Sequence, residues 1–123
     1  MNTITISVEN VSMKAEIYDT PTGRAILAAL PIEGTANVWG DEIYFDIPVT
    51  LDSETGAKET VAVGDLGYWP VGSAFCIFFG PTPVSQGDLP RAYSPVNVFG
   101  RIIGDARIFK QAQAGSPVQI VRA

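Results

Sequence analysis

The chain has 123 residues, 46% of them hydrophobic and 17% charged, which is enough apolar material for one domain core and too little charge for disorder. The net charge is -5, and the eight Lys and Arg are scattered rather than gathered into the basic stripe a nucleic-acid binder needs. There is no histidine and one cysteine, Cys76, which rules out Ser-His-Asp and Cys-His pairs, histidine or thiolate-rich metal sites, and an internal disulfide.

In chain order, Thr3 to Val8 alternates apolar and polar residues at the period of a half-buried strand. Glu9 to Ser12 reads as a turn, and Met13, Ala15 and Ile17 alternate in a second strand that closes a hairpin. The stretch Asp19-Thr20-Pro21-Thr22 carries helix-start chemistry, and Ile26, Leu27 and Leu30 share a helical face before Pro31 stops it. Strands follow at Gly34 to Val38 and Glu42 to Pro48, separated by Trp39-Gly40-Asp41; in the second, Ile43, Phe45 and Ile47 oppose Glu42, Tyr44 and Asp46. Asp52 to Lys58 is a polar loop, Thr60 to Val63 a strand, and Gly64-Asp65 a turn in which Asp65 bonds its own backbone. Ala74 to Phe79 is apolar on both faces, as in a strand covered from both sides. Val84 to Pro95, rich in Gly, Pro and Ser, is expected to be a loop, and Val96 to Ile103 a strand. Asp105 to Gln113 is predicted as a second short helix ended by Gly115, and Val118 to Val121 as a closing strand.

About eight strands and two short helices therefore make up one mainly β domain over residues 1–123, with 12 glycines and 9 prolines spread among the turns. The longest apolar run, Ala74 to Phe79, is far short of the ~20 residues that span a bilayer. Met1-Asn2-Thr3-Ile4 shows no basic start before an apolar block, so no leader peptide is expected. With a single cysteine, this points to the cytoplasm. No phosphate-binding glycine loop or nucleophile elbow occurs, and no cofactor or metal is expected.

Several segments carry a family resemblance. Val98-Phe99-Gly100-Arg101-Ile102, followed by a short helix and a last strand, resembles the end of cyclophilins, where V-F-G-K-V leads into a helix and strand. Gly72-Ser73-Ala74-Phe75-Cys76-Ile77 is similar to their G-S-Q-F-F-I strand. More closely, Trp39-Gly40-Asp41-Glu42-Ile43-Tyr44-Phe45, Gly64-Asp65-Leu66-Gly67-Tyr68-Trp69-Pro70 and Phe78-Phe79-Gly80-Pro81-Thr82-Pro83 resemble a family of small bacterial and archaeal cyclophilin-like proteins. The resemblance covers nearly the whole chain and implies a closed barrel with a helix at each end; it implies no particular activity.

Cyclophilins twist the peptide bond before proline with an apolar pocket and an arginine donor that precedes their G-S-Q-F-F-I strand. Here Ala25 to Pro90 contains no arginine, Ala74 replaces the glutamine, Cys76 the second phenylalanine, and Val96 stands where cyclophilins carry a histidine. Arg91 or Arg101 could in principle reach into a groove, but nothing in the sequence places them there.

Trp39, Tyr44, Tyr68, Trp69 and Phe78 cluster around Gly and Pro turns, where polar-tipped rings suit a ligand pocket or, more plainly, plug the barrel ends. Glu42 shares a strand face with Tyr44 and Asp46 and is the candidate hydrogen-bond acceptor or base; an exposed carboxylate is its plainer reading. Cys76 reads as a small buried side chain beside the same groove, and Arg91 completes the candidate set. The leading functional expectation is a binding module that holds a small molecule or extended peptide in an aromatic groove without covalent chemistry. An enzyme, either a prolyl isomerase or one centred on Glu42, ranks second. A homo-oligomer that uses the aromatic patch as an interface ranks third.

Overall fold

The structure is a computed structural model that describes residues 2–123, so Met1 of the expected leader-free start lies outside the described residues. Among the described residues ten strands form, at Asn2–Val8 (β1), Val11–Ile17 (β2), Ile32–Thr35 (β3), Asn37–Val38 (β4), Glu42–Asp46 (β5), Lys58–Thr60 (β6), Asp65–Trp69 (β7), Ala74–Phe78 (β8), Arg91–Ile102 (β9) and Pro117–Arg122 (β10). One helix, Pro21–Ala29 (α1), follows β2, and a 3₁₀ turn spans Ala106–Gln111. The sheet runs β3-β10-β1-β2-β9-β7-β8-β5-β4, with β6 laid against β9. Every pairing is antiparallel. No helix among the described residues is long and apolar enough to cross a membrane.

The two ends of this path, β3 and β4, are consecutive in the chain and are separated only by Ala36. No ladder joins them among the described residues, so hydrogen bonding does not close the expected cylinder. The chain itself bridges the gap: Ala36 donates its N–H to Ser116 O at 2.9 Å and accepts from Gly115 N at 2.8 Å.

Period-two patterning explains the core. Ile4, Ile6 and Val8 of β1, Ile43 and Phe45 of β5, Leu66 and Tyr68 of β7, and Phe75 and Ile77 of β8 all point to one side and are buried together. Phe75 stacks on Phe45 at 5.1 Å and meets Phe99 edge-on at 5.0 Å. The helix starts where the proline and cap predict. Thr20 Oγ1 accepts from Gly23 N at 3.0 Å, and Ile26 and Leu27 are buried against the sheet.

Strand β8 is buried at every position, as its unbroken apolar run predicts. Its two faces serve different clusters. Phe75 and Ile77 enter the main core, whereas Ala74, Cys76 and Phe78 join Val61, Ala92 and Val96 in a small second cluster on the outer side. That outer face carries the candidate site.

Several boundaries differ from expectation, each for a local reason. The first turn is tighter than Glu9 to Ser12, because Glu9 takes φ 54° and β2 starts at Val11. Gly34 to Val38 is two strands, since the chain leaves β10 at Thr35 and joins β5 at Asn37. The strand expected at Thr60 to Val63 lies at Lys58–Thr60, paired to β9 alone. Strand β7 escapes the sequence pattern, because Gly67 interrupts its alternation; a Cβ there would stand 2.8 Å from Val96 Cγ2, so the glycine admits a close neighbour. Residues 91–95 are strand rather than loop. Pro95 is tolerated there because it falls where the β6–β9 pairing breaks register, between Val96 opposite Lys58 and Arg91 opposite Thr60, and the β7 ladder reaches only as far as Asn97. The second helix is 3₁₀, begins after the Asp105 cap, whose Oδ1 accepts from Arg107 N at 3.1 Å, and ends at Gln111, before Gly115.

Candidate functional site

The β4–β5 hairpin positions two of the site's side chains. Gly40, at φ 59°, and Asp41 form its two-residue turn, so that Trp39 and Glu42 become the closing pair and exchange backbone hydrogen bonds at 2.9 and 3.2 Å. Directly opposed residues of a hairpin project to one face. The turn is held from behind by the loop after β8: Asp41 N donates to Pro81 O and Phe79 N to Asp41 O, both at 2.9 Å. A Cβ on Gly40 would come within 2.8 Å of Pro83 Cδ, so the F-F-G-P-T-P segment packs tightly on this turn.

Register then brings further groups to the same face. Tyr44 opposes Cys76, and Cys76 opposes Gly67 on β7. Trp69, two residues along, donates its indole N–H to Ser94 Oγ at 2.6 Å. From β9 come Ala92, Tyr93 and Val96. These residues line a cavity of about 190 Å³ with Trp39, Glu42, Tyr44, Trp69 and Cys76 around it. Tyr93, 72% exposed, stands at its rim and meets Trp39 and Trp69 edge-on, with ring centres 6.2 and 6.1 Å away.

Glu42 is the one charged residue in this lining. It is only 5% exposed, and among the described residues no group donates to its Oε1. Burial therefore pushes its carboxyl up from the ordinary 4.5 to about 7, with the neighbouring Cys76 thiol offsetting part of the rise. Burial, together with the adjacent Glu42 charge, drives the Cys76 thiol well above its usual range. Such a thiol stays protonated at neutral pH and is a packing group rather than a nucleophile. Among the described residues, no group of three or more Cys, Asp or Glu side chains is arranged to hold a metal ion.

Of the eight residues singled out in the sequence, five meet here: Trp39, Glu42, Tyr44, Trp69 and Cys76. The other three lie elsewhere. Tyr68 alternates to the opposite face, is fully buried, and uses its hydroxyl to donate to Val49 O at 2.6 Å and accept from Leu51 N at 3.1 Å. Phe78 packs inside the small cluster without reaching the cavity. Arg91 lines a separate hollow with Thr60 and residues 86–89, and its guanidinium stands 3.9 Å from the Glu59 carboxylate. Asp46, paired with Glu42 in the alternation of β5, is exposed and outside the lining. Sequence reasoning missed Ala92 and Tyr93, which fall in the expected loop, and singled out Val96 only as a replacement for histidine. The aromatic-bearing A-Y-S-P-V stretch after Pro90 is the signal that could have found them.

No curated protein matches the chain. The solution structure of the hypothetical protein AF2241 from Archaeoglobus fulgidus is 42% identical, with a TM-score of 0.83 over 99% of this chain and 95% of that one. The structure of McbB in complex with tryptophan superposes with a TM-score of 0.71 over 97% of this chain and 44% of that one. At 14% identity this is a likeness of fold. The family model described as cyclophilin-like matches residues 2–121, and the chain belongs to the cyclophilin-like family.

Proposed function

We propose that the chain binds a small ring-bearing molecule in the cavity on the outer face of β5, β8, β7 and β9, without forming a covalent bond to it. The observation that carries this reading is the convergence of Trp39, Trp69, Tyr44 and Tyr93 around Glu42, a buried carboxyl with an oxygen left free to accept. Size favours a small molecule over an extended peptide. A cavity of about 190 Å³ is a little larger than the ~150 Å³ known to hold benzene, so it takes one ring with a short arm. The tryptophan bound by McbB, a distant relative in fold, is a ligand of comparable chemistry. No arginine lines the cavity, which disfavours cyclophilin-type isomerisation there. The lone buried thiol suits a reducing cytoplasm.

The two tryptophans of the chain, Trp39 and Trp69, both line the cavity, so selectively excited tryptophan fluorescence reports on it. Benzyl alcohol, which is transparent where tryptophan is excited, is a suitable first probe. Its eight heavy atoms at roughly 0.5 kcal/mol each correspond to a Kd of about 1 mM. A saturable fluorescence change is expected in that range and should disappear in Ala92→Leu, which fills the cavity. A strictly linear response in the native protein, or an unchanged titration in Ala92→Leu, would refute the reading.

A further inference from the structure

Two features of the cavity call for the same ligand chemistry. First, Glu42 is only 5% exposed, and its Oε1 receives no hydrogen bond from any described residue. A carboxylate in that position is costly unless a donor or counter-charge meets it. Second, the rest of the lining is aromatic or small, and neither Lys nor Arg is part of it. Aromatic ring faces attract cations through their quadrupole, most strongly where water is excluded. The remaining titratable groups around Glu42 are Tyr44 on its own strand, Cys76 on β8 and Tyr93 on β9, none of which is positively charged.

We infer that the ligand is a compact organic cation, a primary ammonium on a ring-bearing body, whose N–H groups bond the Glu42 carboxylate while the ring lies among Trp39, Trp69 and Tyr93. This rests on the small-molecule reading of the cavity and names the ligand class it takes. A neutral N–H donor would fill the same hydrogen bond but would gain nothing from the ring faces and would not neutralise the charge. The ammonium does both.

Protonation of Glu42 adds a signature. The carboxyl is half protonated at about pH 7, and an ammonium favours the charged form. Binding of a cation therefore tightens as pH rises through that value, as long as the amine keeps its own proton. An alkylamine does so, since its value lies near that of lysine, about 10. A neutral ligand shows a far weaker dependence.

Benzylamine and benzyl alcohol, nearly equal in shape, separate the two cases. Each is titrated into the full chain at about pH 6 and about pH 8, with tryptophan fluorescence as the readout. Benzylamine is expected to bind about tenfold more tightly than benzyl alcohol at the higher pH, with the preference shrinking at the lower one. In Glu42→Gln the preference should fall to near unity while benzyl alcohol binding persists. The native protein's pH dependence carries the test if that variant does not fold. Benzyl alcohol binding as well as benzylamine at about pH 8 would overturn the inference and leave the small-molecule reading standing. Failure of both compounds to bind would overturn that reading and the inference with it.

Discussion

Trp39 and Glu42 face each other across the β4–β5 turn and exchange backbone hydrogen bonds at 2.9 and 3.2 Å, which puts an indole and a buried carboxyl on one face of the sheet. The turn is fixed by a left-handed Gly40 and by the loop packed behind it, so the pairing is a property of the backbone. It commits the hairpin to placing a titratable group in a largely apolar hollow.

That placement has a consequence for stability. The folded chain keeps a proton on Glu42 between about pH 4.5 and 7, where the unfolded chain has lost it. The folded state thus binds more protons over this window, and stability falls as pH rises through it, then levels off above about 7. A shift from 4.5 to about 7 corresponds to about 3 kcal/mol over the full range. Comparing native and Glu42→Gln proteins by urea denaturation at several pH values isolates this contribution. The variant should lack the decline and be the more stable of the two at about pH 8.

Tyr68 belongs to the core and not to the cavity. Its hydroxyl ties Val49 O and Leu51 N, and so anchors the start of the loop after β5. Tyr68→Phe leaves the Leu51 N–H and the Val49 carbonyl without this partner, a loss of about 1–3 kcal/mol by denaturant unfolding. Ligand titration at the tryptophans should be unchanged.

Gly67 couples packing to ligand binding. A Cβ added there would stand 2.8 Å from Val96 Cγ2 and 3.1 Å from Phe78 Cε2, both in the small outer cluster. Gly67→Ala must displace Val96, which also lines the cavity. The expected cost is about 1–3 kcal/mol of stability. Benzyl alcohol binding should weaken in the same variant, a joint effect that Tyr68→Phe does not share.

Much of this architecture is legible in the sequence because alternation maps directly onto a sheet with one buried face. Ile43 and Phe45 go inward and Glu42 and Tyr44 outward, as their order on β5 requires. The unbroken apolar run of β8 announces two covered faces, and therefore a second cluster opposite the main core. What stays hidden depends on contacts distant in the chain. Tyr68 and Trp69 are neighbours in an aromatic run, and only the register of β7 against β8 assigns one to the core and the other to the cavity. Arg91, at the beginning of β9, looks available from composition, yet it turns toward Glu59 on β6. Tyr93 is obscured by Pro95, which reads as a loop signal until the register break in the β6–β9 pairing is seen.

The most direct test of the account is a map of amide and indole ¹⁵N–¹H shifts in the full chain as benzyl alcohol is added to saturation. Both indole N–H signals, from Trp39 and Trp69, are predicted to move together with the amides of Tyr44, Cys76 and Tyr93, while those of Gln86 to Leu89 stay in place. Silent indoles, or shifts gathered in the hollow beside Arg91, would contradict it.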